Sequence, residues 1–128
     1  MNDEAVIAIS MEADIMFGFG KAKAYREKVW DILAEIGVSS LLPQLAPLNS
    51  EIEKFRWNKF SEHSAVILLC YSSAMSLDSA GNTERGQILY DKARNHQDDW
   101  IKKGFVDAGE ARGFNKHIAE NSKIVVRP

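Results

Sequence analysis

The stretch "AVILLCY", Ala65 to Tyr71, is the longest wholly apolar run in the 128 residues, and it constrains the fold more than any other feature. A helix that is apolar on every side must be covered on every side. The run is far shorter than the ~20 residues of a membrane span, so the cover is expected from the rest of the chain and not from lipid. The surrounding sequence, "EIEKFRWNKFSEHSAVILLCYSSAMSL", reads as one long central helix over about 51–77. Ser50 followed by Glu53 has the form of a capping box at its start, and "DSAGNT" ends it.

Helical spacing recurs on both sides of this element. Ala22, Tyr25, Val29, Ile32, Leu33 and Ile36 form one apolar stripe, stopped by Gly37. Residues 3–17 repeat the pattern with Val6, Ile9, Ala13, Met16 and Phe17, and Gly18 and Gly20 kink or divide the two segments. Residues 84–104 make a helix that ends at Gly104 behind Lys102 and Lys103, and residues 108–121 make a weaker one with Ala111, Phe114 and Ile118 on one face. "KIVVRP" reads as an extended tail, and "VSSLLPQLAPLN", with Pro43 and Pro47, as an apolar connector. No internal repeat or linker-like composition divides the chain. The expectation is all-α: a single helical domain over 1–128, a bundle of about five helices with a buried central helix.

At 45% hydrophobic and 27% charged, with a net charge of −2, the composition suits a globular protein with no global field to attract nucleic acid or a membrane. The one cysteine, Cys70, lies inside the apolar run and reads as a small buried residue; a solitary thiol points to a reducing compartment, most simply the cytoplasm. Asp3 and Glu4 stand where a signal peptide would carry basic residues, so the N-terminal segment is read as part of the fold.

Several chemistries lack their signatures. "GFGK" is no phosphate loop, because Ile15 and Ala22 occupy the places of its first glycine and its hydroxyl. No Gly-x-Ser-x-Gly is present, and an apolar setting raises the pKa of Cys70, which disfavours a covalent nucleophile. Lys21, Lys23, Arg26 and Lys28 could touch a nucleic-acid backbone, but Glu27, Asp31 and Glu35 offset them on the same segment.

The stretch "NHQDDW" holds the remaining candidate. His96 lies on the stripe Leu89, Ala93, His96, Trp100, which by itself describes a histidine at the rim of the core. Asp99 follows it by three residues, and His117 and Glu120 repeat that spacing downstream. In an antiparallel hairpin turning near residue 106, both histidines stand at almost the same height, given a rise of about 1.5 Å per residue. Two imidazoles and two carboxylates would suit a divalent transition metal. The reading favoured over this one is a pair of structural histidines that are not converging.

By elimination, the sequence is read as a non-enzymatic helical protein–protein interaction module (a subunit, inhibitor or adaptor) that needs no cofactor and associates with itself. Met11, Ile15, Met16, Phe17 and Phe19, with Leu41, Leu42, Leu45 and Leu48, supply apolar surface for a homodimer interface. A metal-binding bundle centred on His96, Asp99, His117 and Glu120 is the alternative, and a nucleic-acid-associated regulator using Lys21 to Lys28 the third.

Overall fold

Four helix ends share one backbone device. A computed structural model describes residues 20–43 and 46–128, in which α1 (20–35), a 3-10 turn (Ser39–Leu41), α2 (Ala46–Trp57), α3 (Glu62–Ser79), α4 (Thr83–Lys102) and α5 (Ala108–Asn121) follow in order, with no strand among the described residues. Helices α1, α3 and α4 each close on a glycine with positive φ: Gly37, Gly81 and Gly104. At each, the glycine N–H and the next N–H reach back to carbonyls of the last turn, as from Gly104 to Ile101 and from Phe105 to Trp100. Helix α2 ends identically, yet its left-handed residue is Lys59, with φ of 66°. A residue with a Cβ pays about 1–2 kcal/mol there. The contact that accompanies this motif is present to offset it, since Phe60 packs edge-on against Phe55 at 6.4 Å between ring centroids.

That cap divides the expected central helix of 51–77 in two. Ser61 accepts from the Ser64 N–H and starts α3 afresh, just as Asp107 accepts from the Glu110 N–H and starts α5. Helix α2 begins at Ala46, not at Ser50, with Pro47 in its first turn, where proline's missing N–H costs nothing. The expected N-terminal helix of 3–17 lies outside the described residues.

The apolar run is the centre of the bundle. Residues 65–67 and 69–71 are buried, as are Ser64, Ser73 and Ala74, so α3 is covered around almost its whole circumference. It packs most extensively on α4, and also on α2 and α5. The two backbones approach closely at Gly86, where a Cβ would stand 2.6 Å from the Ala74 carbonyl oxygen. Helix α1 runs antiparallel to α2, tied by Arg26 to Glu53 and by the Trp30 indole N–H to Asn49 Oδ1 at 2.8 Å. Of its expected stripe, Ala22, Tyr25, Val29, Ile32 and Leu33 are buried and Ile36 is partly buried against the core. Among the described residues no helix is long and apolar enough to cross a membrane.

Candidate functional site

His96 and His117 line different cavities. Along a helix, two residues turn the chain by about 200°. The seam between α4 and α5 is taken by Arg94 and Asn115, whose side chains bond at 3.1 Å; His96 and His117, each two residues further on, are therefore rotated away from it. His96 lines a cavity of about 320 Å³ toward α1 and α3, together with Asp99, His63, Glu35 and Trp100. His117 lines another of about 210 Å³ with Leu68, Met75 and Phe114, and its Nδ1 faces the Asn121 side-chain amide at 3.2 Å. Glu120 is exposed. The four residues do not converge, and no group of three or more His, Cys, Asp or Glu among the described residues could hold a metal ion.

The sequence reading did not single out His63, because it stands in the polar first turn of α3 and not on a helical stripe. Its ring stacks on Phe105 at 4.6 Å and meets Trp100 edge-on at 4.7 Å, while His96 lies 5.6 Å from the same indole. Trp100 is thus flanked by two imidazoles. Burial, assisted by Lys28, holds the His63 pKa below the ordinary imidazole value, against the pull of Glu62 and Glu35. Asp99 is engaged by Lys103 at 2.9 Å. Cys70 is fully buried, and burial pushes its thiol up to about 12, so it is no nucleophile.

The other side of α4 carries a polar network. Asn115 Nδ2 donates to Gln97 Oε1 at 2.8 Å and to the Ala111 carbonyl at 2.8 Å. Its Oδ1 accepts from the Tyr90 hydroxyl at 2.5 Å and from Arg94. The Tyr71 hydroxyl donates to the same Gln97 oxygen at 2.7 Å, and burial holds its pKa far above the usual phenol value. Gln97 and Asn115 are buried, and each finds partners for both ends of its amide. Arg94 closes the network, donating to Tyr90 at 2.8 Å and to Asp98 at 3.0 Å. Its side chain is only 11% exposed. Burial works against its charge, but the bonds to Tyr90 and Asp98 outweigh that cost and hold the guanidinium protonated. Outside it lies a cleft of about 410 Å³, lined by Arg94, Asp98, Arg112, Asn115 and the last two residues of the chain.

The exposed aromatics gather elsewhere, at the end of the bundle where α2 gives way to α3 and α4 to α5. The Ser61 hydroxyl donates to the Phe105 carbonyl at 3.0 Å, joining the two turns. Trp57 is 65% exposed and Phe105 45%. The Arg56 guanidinium lies 4.4 Å from the Trp57 ring centroid, a cation–π contact. Sequence patterning missed Trp57 because it sits inside what reads as one continuous helix.

Of the residues expected to form an interface, Met11, Ile15, Met16, Phe17, Phe19 and Leu45 lie outside the described residues. Leu42 and Leu48 belong to the core and Leu41 packs against it, so these connector leucines are covered within the chain. In the basic segment, Lys21, Lys23 and Lys28 are exposed and Arg26 is engaged by Glu53. No known protein family, curated protein or solved structure matches this chain.

Proposed function

We propose that this chain is a non-enzymatic helical protein–protein interaction module whose first partner is a second copy of itself, docked through the end of the bundle that carries Trp57 and Phe105. The observation that supports the reading is Trp57, which remains largely exposed while an arginine orients its ring. Tryptophan and arginine dominate the energetics of interfaces, and a ring fixed before contact loses less entropy on binding. A two-fold interface must be complementary to itself. Charges of both signs support this, with Arg56 and Lys59 where α2 ends and Glu62 and Glu110 in the first turns of α3 and α5. The reading requires no cofactor. The single buried thiol suits work in a reducing compartment such as the cytoplasm, where the module would serve as a subunit, inhibitor or adaptor. No observation favours the metal or nucleic-acid alternatives over it.

The test is solution mass by light scattering across a concentration series into the high micromolar range. The expected result is a dimer for the unaltered chain and a monomer for Trp57→Glu. The melting temperature of the variant monomer should match that of the dissociated wild type, because Trp57 lies outside the core. A monomeric wild type throughout the range would remove this reading.

A further inference from the structure

The seven residues after α5 are held in an unusual way. Residues 122–128 lie extended along α4, yet among the described residues none of their main-chain groups bonds to another main-chain group outside the segment. Side chains do the holding. Gln87 Oε1 accepts from the Val125 N–H at 2.8 Å while its Nε2 donates to the Val125 carbonyl at 3.0 Å, so one side-chain amide satisfies both groups of one residue as a neighbouring strand would. Asp78 accepts from the Lys123 N–H at 3.2 Å. Arg94 donates to the Arg127 and Pro128 carbonyls at 2.7 and 3.1 Å. The side chains alternate as in a strand: Ile124 is buried and Val126 packs on the core, while Val125 is 72% exposed.

We propose that this flank of α4 is a groove for an extended peptide, and that the C-terminal strap is its resident, competing ligand. The partner is a segment of another protein with aliphatic side chains at two alternate positions and basic residues flanking them. Main-chain contacts supply the grip without regard to sequence, and the two sockets filled by Ile124 and Val126 supply the choice, the division of labour of strand addition. Asp78, Asp91 and Asp98 along the groove suit basic flanks; in the strap itself Asp78 is met by the Lys123 main-chain N–H, and the Arg127 guanidinium donates to Asn95 Oδ1 at 2.9 Å. The groove does not depend on the strap for its shape. Gln87 is also bonded to Asp91 at 3.1 Å, and Arg94 keeps Asp98, Tyr90 and Asn115 when the strap's carbonyls leave, so both reading side chains stay oriented for an incoming segment. This groove is separate from the Trp57 end, and its occupancy does not require that the chain dimerise.

The experiment uses the 128-residue chain and a fluorescein-labelled peptide of the strap sequence, SKIVVRP, followed by fluorescence anisotropy. Ile124→Asp combined with Val126→Asp loosens the strap in place, and this variant should bind the peptide at least tenfold more tightly than the unaltered chain. Adding Gln87→Ala should reverse the gain, and a peptide with both sockets' residues replaced by aspartate should not bind. Absence of binding by the strap-loosened chain, with its cooperative melt intact, would overturn the proposal. Should that variant fail to fold, hydrogen exchange at the Val125 amide of the unaltered chain decides: excess peptide should speed it, and unchanged protection would overturn the proposal equally. A disulfide-linked pair formed on mixing Gln87→Cys with Val125→Cys chains would identify the occupant as a second copy and overturn the assignment to another protein.

Discussion

Helix α4 faces two neighbours by opposite means. Toward α3 it presents Gly86, where the two backbones approach until no Cβ fits beside the Ala74 carbonyl, and the Tyr71–Gln97 hydrogen bond ties this seam to the polar side. Toward α5 it presents Tyr90, Arg94 and Gln97, which reach Asn115 through a chain of hydrogen bonds and leave a cleft outside them. Direct apolar packing fixes distance and tolerates no added volume. A satisfied polar network fixes register, because shifting one helix along the other would leave every member unpaired at once. The dry seam therefore carries stability, and the polar seam sets where α5 and the strap lie.

Breaking the dry seam should have the largest effect. Gly86→Val places atoms where a backbone carbonyl stands, which cannot move aside as a side chain would, and a cost of about 4 kcal/mol is expected in chemical denaturation. A cost below about 1 kcal/mol would mean that the helices separate easily and that the contrast is false. The polar seam is probed by Asn115→Leu, which removes partners from Gln97, Tyr90 and Arg94 together and should cost about 3 kcal/mol. Combined with Gln97→Leu it should cost less than the two separate losses added, since the second change removes a group the first has orphaned. Strict additivity would show that the network does not act as a unit.

The smallest effect separates the two sides by pH. His63, on the dry side, has its folded pKa lowered by burial, so folding favours the neutral ring. Its contribution to stability is fully present above the unfolded imidazole pKa of about 6.5 and is lost as pH falls through the lower folded value. The melting temperature should decline between pH 7 and pH 5.5, and His63→Phe should flatten that decline. An imidazole titration midpoint at or above 6.5 in the NMR spectrum would contradict the burial argument.

What the sequence disclosed follows from which physical signals are local. Apolar periodicity located α1, α4 and α5, and Gly37 and Gly104 marked stops because glycine is the default left-handed residue. The break at Lys59 escaped notice since a lysine occupies that conformation, supported by Phe60 on Phe55, a contact visible only once the chain has folded. Height along a hairpin can be counted in residues, and that count is what set His96 against His117 in the sequence. Rotation about each axis depends on the neighbours, and it sent the two apart. Asn115 was in principle legible as a polar residue on the stripe of Ala111 and Ile118. Gln97 likewise interrupts an apolar face of α4, at the position four beyond Ala93 and three before Trp100.

Cys70 gives the molecule an internal clock. It is the sequence's one thiol, sits at the centre of α3, and is shut off from reagents as well as from ionisation while the bundle is closed. A disulfide dye can react with it only when α3 itself is uncovered, so the rate of colour development at equilibrium reads the free energy of that opening, residue-specifically and without denaturant. The same silence makes any cysteine introduced on the surface singly addressable, and the native one need not be removed.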